Sequence, residues 1–150
     1  MTEQKENIIV DLSFQFALDV IRFTEDLERL RKFSMSNQLF RSSTSVGANI
    51  REAQHAESKA DFIHKMKLAA KELEESVYWL QLCASLPQYP DSTALLEQAT
   101  SIGKVLSKII GTSKRSLQSK EIQPQRTDTS GDNHQHISSS AHRHINPSSH

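Results

Sequence analysis

The chain has one cysteine, Cys83, in 150 residues, which excludes an intramolecular disulfide and the multi-cysteine zinc patterns. A free cysteine without a catalytic setting reads as a packed structural thiol. There is no glycine-rich phosphate loop, no G-x-S-x-G elbow and no supported Cys-His pair, so an ordinary hydrolase or transferase finds no machinery here. No run approaches the ~18 apolar residues of a membrane span, and MTEQKENIIVDLSFQ is not a basic segment followed by an apolar one. A cytoplasmic protein with no membrane partner is the expectation. Excess charge is missing too: 18 Lys and Arg balance 18 Asp and Glu, so only local placement of charge can mark a nucleic-acid surface. Strand-like alternation is also absent beyond a few residues.

What is present is helical period, four times over. Residues 11 to 33 place Phe16, Val20, Phe23, Leu27 and Leu30 on one stripe with 4-3-4-3 spacing. Residues 36 to 56 do the same with Leu39, Ser43, Val46, Ile50 and Ala53, and Ser36 is a candidate N-cap. The third helix, 59 to 86, begins after Ser58, with Asp61 three residues on as in a shortened capping box. Its stripe is Phe62, Met66, Ala69, Leu73, Val77, Leu80 and Ala84, and Pro87 and Pro90 end it. Asp91 or Ser92 caps a fourth helix bearing Leu95, Ala99, Ile102, Leu106 and Ile109, with the expected stop at Gly111 or one turn beyond it. Four amphipathic helices on short connections predict an all-α fold, an antiparallel up-down-up-down four-helix bundle. The bundle is expected over 10–118, preceded by an N-terminal arm at 1–9. The Ser/His-rich segment 119–150, with HQH and HRH pairs, is expected to be a disordered tail; paired histidines bind metal ions weakly without a scaffold.

The helices carry more apolar surface than one core needs. Phe14, Leu18 and Ile21 fall almost opposite the first stripe, and Leu68, Glu72, Glu75, Trp79, Leu82 and Leu86 form a second seam on the third helix. Such surplus points to contacts between copies of the chain. Glu72 and Glu75 within that seam need a cation or amide, for which Arg41, Arg51 and Asn49 are candidates. The small residues of SSTSVGANIREAQHA keep the second helix thin so that neighbours can approach, at a cost in helix propensity. Asn49, Arg51, Glu52, Glu72 and Glu75 make a polar cluster there, either a structural network or a ligand site.

The string RSSTSVGANIREAQHAESKADFIHKMKLAAKELEESVYWLQL resembles the four-helix bundle protein family that includes proteins encoded in intervening sequences of bacterial 23S ribosomal RNA genes. The likeness spans about 10 to 118. An R-x-x-x-S-[VI]-x-x-N-I block is matched by Arg41, Ser45, Val46, Asn49 and Ile50, followed by Glu52. An S-K-x-[DE]-F block is matched by Ser58, Lys59, Asp61 and Phe62, and E-L-E-E-S-x-Y-W-L by Glu72 to Leu80. Gly47-Ala48 and Arg51-Glu52-Ala53 place it with the Gly-Ala-Asn, Arg-Glu-Ala branch. The resemblance implies a bundle closing into a homopentameric ring, often without assigned activity. It also implies a kinship with accessory proteins of diversity-generating retroelements, whose basic surface meets reverse transcriptase and nucleic acid.

The leading expectation is therefore a non-enzymatic assembly protein with no cofactor, binding RNA or DNA, or a reverse transcriptase, through a repeated basic surface. Lys104, Lys108 and Arg115 project within about 40 degrees of one another on the fourth helix, with Lys114 nearby. The competing reading of that face is a solvated one, with cations favourably placed near a helix C-terminus. No aromatic residues interleave, so stacking on single strands is poorly supported. A protein-protein interaction module without nucleic acid is the alternative. A di-iron site built on Glu52-x-x-His55 and Asp61-x-x-His64 is the remote one, since those pairs sit at a helix end.

Overall fold

The computed structural model describes residues 7–122, and the expected arm and Ser/His-rich tail lie largely outside them. Four helices occupy this span: α1 Ile8–Arg29, α2 Phe33–Ala53, α3 Lys59–Ser85 and α4 Thr93–Glu121. Backbones approach in the cycle α1–α2, α2–α3, α3–α4 and α4–α1, with no diagonal contact, which defines the antiparallel up-down bundle. The α2–α3 interface is the most extensive and α1–α4 the least.

The core is built from side chains that the 3.6-residue period brings to one side of each helix. Phe16, Val20 and Leu27 of α1 meet Leu39, Val46 and Ile50 of α2, Met66 and Leu80 of α3, and Ile102 and Leu106 of α4, all fully buried. Each such side chain contributes about 1.5–3 kcal/mol by leaving water. The stripe expected on α2 is buried in full. That on α3 is rotated: Phe62 and Val77 are only half-buried and Ala84 is exposed, while Ile63, Ser76 and Cys83 lie inside. The rotation follows the partners. At 100° per residue Ser76 and Cys83 fall on the flank of α3 that packs closely on α2, whereas Val77 lines an open groove of about 500 Å³ between α3 and α4, opposite Ala99 and Gly103.

The connections explain the remaining differences from expectation. Leu30 is half exposed because α1 stops at Arg29. Lys32 N–H donates to the Leu27 carbonyl (2.7 Å) and Arg31 N–H to that of Glu28 (2.8 Å), the two bonds of a Schellman turn. Arg31 occupies its left-handed position at φ 60°, usually a glycine's place. This tight turn lets α2 start at Phe33, so Ser36 is a buried residue inside the helix, its Oγ bonded to Glu28 Oε1 at 2.9 Å, rather than an N-cap. Ser58 does cap α3: its Oγ accepts from Asp61 N–H at 3.0 Å, while the Asp61 carboxylate accepts from Glu57 N–H at 3.3 Å. At α4 the capping falls to Asp91, whose Oδ1 accepts from both N–H (3.0 Å) and Oγ1 (2.7 Å) of Thr93 and whose acidity is thereby increased. Ser92 instead turns inward and donates to the Leu80 carbonyl at 2.8 Å. Gly111 does not stop α4, which runs ten residues further to Glu121. Half-buried Ile109, Ile110 and Leu117 and buried Ser113 extend the apolar stripe past it and offset the ~1 kcal/mol a helical glycine costs.

Candidate functional site

Three surfaces hold the residues that the sequence singles out. The first is the α2–α3 seam. Arg41 reaches across from α2 to α3, donating through Nη1 to Glu72 Oε2 at 3.3 Å and through Nη2 to Glu75 Oε1. Trp79 Nε1 donates to the same Glu75 oxygen at 3.3 Å, so one carboxylate is shared by a guanidinium and an indole. These bonds hold Glu75 below the usual carboxylate range, the Arg41 contact first among them, and raise Arg41 above its ordinary value in return. Behind them, in the interior, Ser76 Oγ donates to Ser42 Oγ at 2.8 Å. Further down, Lys65 Nζ meets Glu52 Oε2 at 2.8 Å, and that hydrogen bond raises the lysine's pKa.

The five residues of the expected polar cluster thus do not converge on one point. Glu72 and Glu75 share Arg41, Glu52 pairs with Lys65, and Asn49 Nδ2 donates to the Ser45 carbonyl of its own helix at 2.9 Å. Arg51 lies on the other flank of α2, its guanidinium 5.3 Å from the centroid of the Phe14 ring. The need of Glu72 and Glu75 for a cation was readable from their place in an apolar seam, whereas nothing in the spacing of Glu52 and Lys65, 13 residues apart across a turn, announced their pairing.

The second surface is a groove of about 230 Å³ between α1 and α2, lined by Phe14, Leu18 and Ile21 facing Thr44, Gly47 and Ala48. The helices come close here: a Cβ on Gly47 would stand 3.6 Å from Ser13 Oγ. The hydroxyls of α2 do not open this surface to water, because Thr44 and Ser45 bond back to carbonyls one turn earlier, at 2.7 Å each. Leu68, Trp79 and Leu82, the other expected interface residues, are half-buried on α3, and Tyr78 beside Trp79 is 54% exposed.

The third surface is the outer face of α4. Lys104, Lys108, Lys114 and Arg115 are all exposed, and from Gln98 to Lys120 the helix has no carboxylate. Among the described residues none of these cations enters an ion pair, in contrast to Arg22, Arg29, Arg41 and Lys65. No three His, Cys, Asp or Glu side chains among the described residues are placed to hold a metal ion. Burial pushes the Cys83 thiol up to about 11, so it is protonated and a poor nucleophile at neutral pH.

A chain of four packed helices whose polar residues tie helix to helix, with a series of exposed cations along the fourth, falls in the class of all-α up-down bundle proteins. Comparison with known proteins gives the family: residues 5–108 match the 23S rRNA-intervening sequence protein model, and the chain belongs to that family. A crystal structure from Bacteroides thetaiotaomicron, described as a protein of unknown function from the S23 ribosomal protein family, is 40% identical. The match covers 68% of this chain and 97% of that one, with a TM-score of 0.65. No curated protein matches the chain. Neither the family nor the structural neighbour is a known enzyme group. No helix among the described residues is long and apolar enough to cross a membrane.

Proposed function

We propose that this protein is a non-enzymatic, self-assembling bundle that binds RNA or DNA through the outer face of α4. The observation that carries the reading is the run of five cations from Lys104 to Lys120 with no carboxylate among them, on a helix whose other surfaces pack into the bundle. Cations that no acid neutralises attract phosphates, and the binding is driven by release of condensed counterions. One such face is a weak site. Repeated around a homo-oligomer, a pentameric ring in the family resemblance, it presents several faces to one nucleic acid and gains from effective concentration. A cytoplasmic accessory factor of a nucleic-acid enzyme, such as a reverse transcriptase, is the role this arrangement would suit.

The test is a mobility-shift titration of the full chain with structured RNA and duplex DNA across a range of salt. The wild type is expected to bind with strong salt dependence. The triple variant Lys104→Gln, Lys108→Gln, Arg115→Gln should lower the salt slope by about 2–3 for a duplex, near one for each phosphate left without its cation. Unchanged binding in the variant would sink the α4 assignment, and no binding by the wild type would favour a protein-protein interaction module.

A further inference from the structure

The α1–α2 groove is apolar with a cation at one end, and the outer face of α3 carries an exposed aromatic ring one turn from a carboxylate, yet a single bundle cannot bring the two together. The groove has an apolar floor, and Arg51 stands at one end over Phe14 with no ion pair among the described residues. On α3, Tyr78 stands 54% exposed, Leu82 follows one turn later, and exposed Glu74 lies one turn earlier, also without an ion pair among the described residues. Ser13 to Ile21 along the groove and Glu74 to Leu82 along the ridge are both nine residues, a rise of ~12 Å along the helix. Since α1 and α3 are diagonal in the bundle, the two surfaces face different directions.

We infer that the α1–α2 groove of one copy receives the Tyr78 ridge of α3 from a second copy, with Glu74 of the ridge reaching Arg51 at the groove's end. The inference rests on the self-assembly reading above and specifies its contact. Tyr78 supplies a large, rigid, amphipathic anchor for the apolar floor, as hot-spot residues do. The carboxylate gives Arg51 a counter-ion while its guanidinium stays stacked on Phe14. Because groove and ridge are different surfaces, the contact is heterologous. Each copy keeps one free groove and one free ridge, so assembly continues until the rotation between copies closes a ring.

Two exposed positions block the two halves separately: Ala48→Trp fills the groove, and Tyr78→Asp removes the anchor. Light scattering on the full chain should show an oligomer for wild type and a monomer for each variant. An equimolar mixture of the two variants should give a dimer and nothing larger, since it unites the one intact ridge with the one intact groove. Circular dichroism checks that both variants stay helical; should either unfold, Arg51→Glu and Glu74→Arg replace them, each weakening assembly alone and restoring it together. An oligomeric wild type whose variants still assemble, or fail to complement each other, overturns the groove-and-ridge contact and leaves self-assembly standing. A monomeric wild type overturns both.

Discussion

The α2–α3 seam and the outer face of α4 use the same kind of residue for opposite ends. At the seam, Arg41 and Lys65 are each spent on carboxylates of the facing helix. On α4, Lys104, Lys108 and Arg115 point outward with no ion pair among the described residues. The packing differs in parallel: α2–α3 is the most extensive interface, with a buried serine pair between the helices, whereas α4 borders an open groove beside α3. Charge that is neutralised within the chain steadies it, and charge left over is available to something else. The location of a cation relative to acids, not its presence, separates the two.

The largest effect that would test this contrast is in the core behind each surface. Leu39→Ala and Leu106→Ala should each cost about 2–5 kcal/mol in urea unfolding, with Leu39 the more costly because it sits under the tighter interface. Equal losses would show that the open side is as well packed as the seam. A smaller effect is expected from Arg41→Met, which should lower the unfolding midpoint and change its response to acid. Glu75 is more acidic in the folded chain than its ordinary 4.5, so its contribution is fully present above that value and is lost as pH falls through the lower folded value. Between neutral pH and the acid limb, the wild type should therefore lose more stability than Arg41→Met, and parallel acid profiles would break the link. Smallest of all, Lys104→Gln and Lys108→Gln should leave the unfolding midpoint where it was, since both lysines are exposed and neither enters an ion pair among the described residues. A clear drop would reveal a structural role for that face.

Much of the bundle could be read from sequence where one physical signal acted alone. On α2 the 4-3 spacing of Leu39, Ser43, Val46, Ile50 and Ala53 had no rival, and all five are buried. On α3 the two flanks compete: Val77 and Ala84 look more apolar than Ser76, yet Ser76 is buried, its hydroxyl near the Glu72 carbonyl one turn earlier and facing Ser42 of the close-packed α2. That information resides in another helix. The α1–α2 turn was hidden because Arg31 holds the left-handed position without a glycine to mark it, and Gly111 misled because flanking apolar residues carry α4 through it. At the candidate sites, the demand of Glu72 and Glu75 for a cation was legible and its answer in Arg41 was one of three options. The stacking of Arg51 on Phe14 and the pairing of Lys65 with Glu52 depend on how helices face each other, which spacing within one helix does not encode.

Trp79 is the chain's one tryptophan, and its indole N–H is bound to the carboxylate that Arg41 also holds. Its fluorescence consequently comes from a single address, on the edge of the seam and next to Tyr78 on the α3 ridge. A blue shift on concentrating the protein would register water leaving that ridge, and a change in emission on acidification would register the carboxylate's protonation. The molecule thus carries a built-in optical gauge, requiring no label, that reads the seam and the neighbouring ridge at once.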